Sequence, residues 1–196
     1  MKIIDISQEI LSCRVYEGDP APVAQRIMDM KKGELYNLSS FSMCAHNGTH
    51  IDAPLHFFED GISVDEISLE HFVGECFVSE EIGDISADKA ETILQKARDH
   101  GAQKRILIKG DATVTEDAAR VFATAGILLL GNESQTVGPE NAPMAVHKIL
   151  LSKGIVLLEG IVLDGAKEGR YILNAAPLNL KGFEGAPARA LLIDEG

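Results

Sequence analysis

Three of the six histidines in this chain fall within the segment from His46 to His56. The segment reads His-Asn-Gly-Thr-His-Ile-Asp-Ala-Pro-Leu-His, so it also contains the carboxylate of Asp52. Imidazole together with carboxylate is the donor set that zinc prefers, and manganese and iron also accept it. The segment therefore predicts a metal site rather than a histidine-rich surface loop, and a metal site in turn indicates hydrolytic chemistry.

The spacing of this segment favours an extended chain over a helix. In a strand, alternate residues point to the same side, so every candidate ligand here would face one way. These positions are His46, Gly48, His50, Asp52, Pro54 and His56. A helix would also bring His46 near His50, but Gly48 weakens a helix. Because Pro54 forbids an unbroken helix, we predict a strand end that runs into a loop.

Length and charge limit the possible classes of protein. A chain of 196 residues can bury one substantial core, which predicts a single domain spanning residues 1–196. The net charge of −12 argues against a nucleic-acid partner or an anionic membrane, since both bind basic surfaces. No segment has the roughly 18 apolar residues that a membrane span requires. The expected partner is a small-molecule substrate.

The cysteines and the amino terminus indicate the compartment. Cys13, Cys44 and Cys76 are odd in number and widely spaced, which predicts free thiols in a reducing environment rather than a disulfide framework. The first ten residues are too acidic, and their apolar run too short, for a signal peptide. We therefore expect a cytoplasmic protein.

The elements that must position the cluster follow from hydrophobic periodicity. Strands alternate with helices in the second half, which predicts an α/β layered domain, whereas the first half is rich in strands and loops. The predicted helices span 87–99, with Ser86 as N-cap and Gly101 as terminator, about 116–125, and 141–153. The predicted strands span 2–10, 38–45, 76–78, 105–109, 126–130, 155–163 and 188–194, and the strand over 38–45 is expected to deliver the cluster.

A second anomaly lies in the apolar run from Ile155 to Leu163, which Glu159 alone interrupts. Such runs are typical of strands that are covered on both faces. A buried carboxylate without a partner costs several kcal/mol, so a divalent cation, an arginine or a strand edge must explain Glu159. His147 lies on the preceding predicted helix, which would fold back beside this strand. Together His147 and Glu159 could form the far wall of a metal site.

At this point the residues resemble a known family. The motif His46-x-Gly48-Thr49-His50-x-Asp52-x-Pro54-x-His56 is similar to the signature of the metal-dependent cyclase-like hydrolases, which include the bacterial kynurenine formamidases. The residues Ile4 to Ser7 and Gly18 to Pro20 resemble the opening of that family, so the likeness spans most of the chain.

The resemblance implies a fold, a ligand set and a chemistry. The fold would be a swivelling β/β/α-type single α/β domain, with a barrel-like mixed sheet and flanking helices. His46, His50 and Asp52 would hold one divalent metal, while His147 and Glu159 would help to bind a second, with Asp52 and Glu159 bridging. His56 would be the catalytic acid/base. Zn²⁺ is the favoured ion and Mn²⁺ the alternative, with either one or two ions bound. Members of the family are usually homodimers or larger homo-oligomers.

The expected activity is metal-dependent hydrolysis of a small amide. The substrate would be an arylformamide such as N-formylkynurenine, which belongs to tryptophan catabolism, or a cyclic amide or lactone such as isatin. The chain has no tryptophan and three tyrosines, whereas formamidases commonly carry aromatic residues around the pocket. The alternative is a catalytically silent metal-binding protein on the same fold.

Overall fold

A computed structural model describes residues 1–196 and shows one large curled sheet with three helices. In chain order the strands are β1 (Lys2–Asp5), β2 (Val23–Met28), β3 (Leu38–Ser42), β4 (His50–Asp52), β5 (Val73–Glu80), β6 (Gly83–Ile85), β7 (Arg105–Lys109), β8 (Ala112–Val114), β9 (Leu129–Asn132), β10 (Val156–Glu159), β11 (Gly169–Asn174), β12 (Gly185–Pro187) and β13 (Leu191–Asp194). Nine of them form the main sheet in the order β1-β13-β11-β5-β7-β9-β10-β4-β12. The predicted α/β class with a barrel-like mixed sheet is confirmed.

The centre of the sheet is parallel and both of its flanks are antiparallel. Strands β5, β7, β9 and β10 pair in parallel, and β4 pairs antiparallel with both β10 and β12. The crossovers between the parallel strands contain α1 (Ala87–Asp99), α2 (Glu116–Thr124) and α3 (Met144–Leu151), as parallel pairing requires. Ser86 caps α1 by accepting a hydrogen bond from the Lys89 amide, as the sequence predicted.

Two hydrophobic cores lie on opposite faces of the sheet because adjacent strand residues alternate in direction. On β10, Leu157 packs in the core beneath the helices, while Val156 and Leu158 pack in the core inside the curl. Glu159 has the same parity as Leu157, so its carboxylate belongs to the helix-covered face. The buried strand β10 therefore places the Glu159 carboxylate at the edge of the core beneath the helices.

Strands β2 and β3 form a separate two-stranded sheet. We refer to residues 21–42, which contain this hairpin and a 3₁₀ turn at Met30–Lys32, as the arm. Nearly all side chains of the arm are exposed to solvent. The prediction that the strand over 38–45 delivers the ligand cluster was wrong, because that strand ends at Ser42 and pairs within the arm. The cluster has its own strand, β4.

Other element boundaries differ from prediction where backbone geometry interrupts a hydrophobic pattern. The predicted strand over 155–163 ends at Glu159, because Gly160 has a left-handed φ of 65°. The predicted strand over 2–10 ends at Asp5, and a 3₁₀ turn follows at Ile10–Ser12. None of the helices is long and apolar enough to cross a membrane.

Candidate metal centre

Strand pairing brings two distant segments to one place. Strands β4 and β10 pair so that Glu159 lies opposite His50 and Leu157 lies opposite Asp52. Directly opposed residues share a face of the sheet, and so do residues two apart on one strand. The side chains of His50, Asp52 and Glu159 therefore project together from the helix-covered face. The predicted convergence of the two segments is present in the structure.

The two ends of the histidine motif reach this point without extended backbone. His46 lies in a turn before β4, where Gly48 adopts a φ of 63° and a Cβ on that glycine would be only 2.8 Å from the Cβ of Cys13. Pro54 begins a 3₁₀ turn that ends at His56. This turn brings the His56 ring onto the His46 ring, with centroids 4.2 Å apart. The predicted alternation of side chains therefore holds only within β4, and turns position His46 and His56.

Helix α3 supplies the opposite wall through His147. The Nδ1 of His147 lies 2.9 Å from the Pro143 carbonyl, which can only accept, so Nδ1 carries the hydrogen. The Nε2 atom then faces the carboxylates, 3.1 Å from Glu159 Oε1 and 3.5 Å from Asp52 Oδ2. His50 is oriented in the same way, with Nδ1 donating to the Gly48 carbonyl at 2.9 Å. Such backbone bonds fix the tautomer of metal-binding histidines.

The two carboxylates are almost fully buried, with Asp52 exposing 1% and Glu159 exposing 2% of its surface. Asp52 Oδ1 lies 2.8 Å from His46 Nδ1 and 3.4 Å from His50 Nε2. Glu159 Oε2 lies 3.6 Å from His50 Nε2, and Glu159 Oε1 accepts a hydrogen bond of 2.9 Å from the Val137 amide. Two buried carboxylates this close together require positive charge between them.

The pKa values of the cluster reflect that requirement. Burial alone would lower the pKa of His46 and His147, but Asp52 raises the first to about 9, and Asp52 with Glu159 raises the second to about 10. Burial would raise the pKa of Asp52, yet its hydrogen bonds to the three histidines hold that pKa well below its usual range. The pocket therefore stabilises positively charged groups that lie beside Asp52 and Glu159.

The donor set fits divalent ions. Two groups have ligand atoms within 4.8 Å of one another: His46, His50 and Asp52 form one, and Asp52, His147 and Glu159 form the other. Asp52 belongs to both groups. The Nε2 atom of His46 is buried and makes no hydrogen bond, although Glu184 Oε1 lies 3.3 Å away. A buried nitrogen without a partner, beside imidazole and carboxylate donors, is consistent with a zinc-type site.

His56 stands apart from both groups. Its ring contacts the rings of His46 and Phe57, and no carboxylate forms a hydrogen bond with it. Burial lowers the pKa of His56, and the neighbouring His46 and His147 lower it further, whereas Asp52 raises it. A neutral imidazole that is not bonded to a carboxylate can accept a proton near neutral pH.

One cavity of about 270 Å³ contains the whole arrangement. The five predicted ligands and His56 all line it, which places every predicted site residue at one site. Tyr16, Phe57 and Pro143 supply further lining, and Asp19 adds a carboxylate. The volume is close to the lower end of the range for small-molecule sites, roughly 300–1,000 Å³.

Several residues around this cavity were not predicted from the sequence, because they lie in loops. Gln135 and Thr136 line it from the loop after β9, and Glu184 approaches His46 from the segment before β12. No spacing in the sequence links these residues to the histidine motif, because tertiary packing alone brings the loops to the site.

Comparison with known proteins shows sequence similarity over almost the whole chain. The model of the family described as "Putative cyclase" matches residues 4–139. A kynurenine formamidase of Salinibacter ruber is 33% identical, over 99% of this chain and 98% of that protein. A kynurenine formamidase of Sphingopyxis alaskensis is 32% identical, over 97% of each chain.

Solved structures extend the similarity to the fold. A protein described as a potential metal-dependent hydrolase with cyclase activity matches with a TM-score of 0.83 and 32% identity, covering 100% of this chain and 98% of the other. Isatin hydrolase A from Labrenzia aggregata matches with a TM-score of 0.85, covering 99% and 94% of the two chains. Because the two sequences are only 22% identical, this structural match shows a shared fold and nothing more.

Proposed function

The chain belongs to the cyclase family and is an amidohydrolase, and from that membership we propose that it hydrolyses a small arylformamide, with N-formylkynurenine the first candidate. A cyclic amide or lactone is the second candidate class. Hydrolysis of N-formylkynurenine would place the protein in tryptophan catabolism. The observation that carries the proposal is the convergence of His46, His50, Asp52, His147 and Glu159 beside a separate histidine, His56.

We propose Zn²⁺ as the resident ion, with Mn²⁺ the alternative, because imidazole nitrogens and carboxylate oxygens suit both. His46, His50 and Asp52 would hold one ion, and Asp52, His147 and Glu159 would hold a second. A divalent ion in such a site supplies Lewis-acid chemistry, polarising a carbonyl and lowering the pKa of water from 15.7 towards about 7. The Val137 amide and the Gly48 and Pro143 carbonyls keep the ligands in place.

His56 is the proposed general acid and base. Its lowered pKa leaves the ring neutral at pH 7, so it can take a proton from the attacking water and return it to the leaving nitrogen. Phe57 packs edge-on against the ring, with centroids 4.5 Å apart, and holds it at the cavity wall. Groups of this kind contribute roughly 10²–10⁴-fold to the rate.

A catalytically silent metal-binding protein is the second candidate. His56 favours the enzyme, because a protein that only stores or binds metal does not require an acid/base group outside the ligand set. The test is hydrolysis of N-formylkynurenine, isatin and a simple aryl formamide, each with added zinc or manganese. We expect turnover that a chelator abolishes and metal restores. Silence across this panel, with metal bound, would favour the silent binder.

We propose that the protein forms a homodimer through the arm. A two-stranded hairpin is at best marginally stable alone in water, so its apolar side chains need a surface to cover them. The arm carries Arg26, Lys31 and Lys32 against Asp29 and Glu34, a net charge of +1, which leaves −13 on the rest of the chain. The arm is therefore close to neutral and should meet less charge repulsion from the acidic body of a second copy than the rest of the chain would. Its exposed large apolar residues are Val23, Ile27, Met30, Leu35, Tyr36, Leu38 and Phe41.

We also propose a reducing, cytoplasmic compartment. Cys13 and Cys44 are half-buried, Cys76 is buried, and all three are free thiols. Burial raises the pKa of Cys76 to about 12, which keeps that thiol protonated and unreactive. Thiol alkylation of protein freshly isolated under non-reducing conditions would test this, since persistent disulfide-linked species would contradict it.

A further inference from the structure

Two glycines face each other immediately outside the paired strands that carry the ligands. Gly48 precedes β4 and Gly160 follows β10, with φ values of 63° and 65°. A Cβ on Gly160 would clash with the Gly48 carbonyl and with the side chains of Gln135 and Gln8. The backbones at the two ends of the ligand strands therefore approach as closely as glycine permits.

Gln8 joins these two backbones, from a third segment of the chain. Its Nε2 donates to the Gly160 carbonyl at 2.7 Å and to Gln135 Oε1 at 3.0 Å. Its main-chain amide donates to Thr49 Oγ1 at 2.9 Å, and the Thr49 hydroxyl donates to the same Gly160 carbonyl at 2.7 Å. The Gly160 carbonyl thus uses both of its lone pairs, one for Gln8 and one for Thr49. We call Gln8, Thr49, Gln135 and Gly160 the clasp.

The clasp is connected to the imidazole of His50, one of the proposed ligands, through the Gly48 carbonyl. Gln135 Nε2 donates weakly to the Gly48 carbonyl, at 3.4 Å. The same carbonyl accepts the Nδ1–H of His50 at 2.9 Å, which directs Nε2 of that ring towards Asp52 and Glu159. The position of Gly48 therefore sets the direction of the His50 ring. Gly48 is held by Gln135 and by donating its amide to the Arg14 carbonyl at 3.1 Å, and the Arg14 amide in turn donates to Gln8 Oε1 at 2.7 Å.

We propose that Gln8 is a positioning residue of the metal centre, which holds the loop carrying His46 and His50 against the strand end carrying Glu159. The role depends on the metal site proposed above. The β4–β10 pairing already aligns the strands through backbone bonds, so the global fold does not need Gln8 for that alignment. What Gln8 adds is the geometry of the two glycine turns beyond the strand ends. Groups that hydrogen-bond a metal ligand typically account for 10–100-fold in metal affinity, and the Gly48 carbonyl, through which Gln8 acts on His50, is such a group.

The test is the metal affinity of Gln8→Met, which keeps the length of the side chain and removes its hydrogen bonds without changing charge. Gln103→Met is the matched control, because Gln103 is exposed in a loop. Zinc affinity is measured by competition with a chelating dye, and ligand geometry by the visible absorption of the Co²⁺-loaded protein. We expect a 10–100-fold loss of zinc affinity and an altered Co²⁺ spectrum for Gln8→Met, and no change in either for Gln103→Met.

Gln135→Met provides a second route to the same result. If Gln8 and Gln135 act as one unit, the double variant should lose less affinity than the product of the two single losses. Wild-type affinity and spectrum in Gln8→Met would overturn the positioning role. So would a fall in the thermal midpoint of metal-free Gln8→Met with an unaltered Co²⁺ spectrum, since that is what a merely structural contact would give. Failure of the wild-type protein to bind zinc would instead contradict the proposed function itself.

Discussion

At the scale of single residues, the histidines of the site divide by their contacts. His46, His50 and His147 lie against carboxylates, whereas His56 lies against aromatic rings. The His56→Ala variant should therefore keep its metal and lose roughly 10²–10⁴-fold in kcat. Steady-state kinetics together with elemental analysis measures both quantities. Loss of metal in proportion to loss of activity would make His56 a ligand and remove it from the acid/base role.

Asp52 should behave in the opposite way. It is 1% exposed, contacts three histidines and belongs to both candidate ligand groups, so Asp52→Ala should abolish stoichiometric zinc binding and activity together. Asp60→Ala is the matched control, since Asp60 is exposed in the loop after the motif. Isothermal titration with zinc checks this expectation. Full occupancy and activity in Asp52→Ala would exclude that residue from the centre.

Metal loading should release protons at neutral pH. The pKa values of about 9 for His46 and about 10 for His147 mean that both rings are protonated at pH 7 in the metal-free protein. Ligation requires neutral imidazole, so an entering ion must displace these protons. We expect proton release on zinc addition in weakly buffered solution at pH 7, and a smaller release at pH 9. Binding without proton release at pH 7 would contradict the charge state assigned to the cluster.

The same shifts determine how the stability of the metal-free protein depends on pH. Groups whose folded pKa is raised above the ordinary value near 6.5 stabilise the fold fully below that value. The contribution is then lost as the pH rises through the folded pKa values. Urea unfolding of the metal-free protein should therefore give a lower free energy of unfolding at pH 10 than at pH 7. An equal or higher value at pH 10 would argue against the paired imidazolium groups.

At the scale of elements, the end of β10 is set by a glycine that tolerates no side chain. Gly160→Ala introduces both a left-handed alanine and a clash with the Gly48 carbonyl. Gly154 is a matched control, because it follows α3 with a φ of 71° and has open space around its Cβ position. Gly154→Ala should cost about 1–2 kcal/mol for the backbone alone, and Gly160→Ala about 1–3 kcal/mol more for the overpacking. Equal costs in urea unfolding would show that the two turns do not meet closely.

Elements were predictable from the sequence where local signals agreed. Helix α1 has the predicted bounds, because Ser86 provides the N-cap and its apolar positions recur at helical spacing. The strand at 105–109 also has the predicted bounds. The prediction that the strand at 38–45 delivers the ligand cluster was wrong, because its alternation is the same whether it pairs within the arm or with another strand of the main sheet. Local pattern does not specify a pairing partner.

The candidate site was predictable where its residues stand out from the surrounding sequence. The histidine motif is dense, and Glu159 interrupts an apolar run, so both are visible without coordinates. Gln8, Gln135 and Glu184 were not predictable as neighbours of the site. They come from three loops that are distant in sequence, and ordinary polar residues in loops carry no periodicity that would identify them.

At the scale of the whole molecule, the arm predicts an assembly. We expect the protein to have twice the 21.1 kDa chain mass in light scattering coupled to gel filtration. Leu35→Ser together with Tyr36→Ser should weaken this dimer, because both side chains are exposed on the arm. Leu69→Ser, an exposed leucine outside the arm, is the control. A monomer at tens of micromolar, or equal behaviour of the two variants, would contradict dimerisation through the arm.

The most direct test of the central claim is an anomalous difference map, recorded at the zinc absorption edge from crystals of the zinc-loaded protein. A metal centre made by the convergence of these segments predicts anomalous density in this cavity, either at His46, His50 and Asp52, or at Asp52, His147 and Glu159, or at both. The ligand distances should be about 2.0–2.2 Å. A map with zinc bound elsewhere on the protein and no peak in this cavity would contradict it.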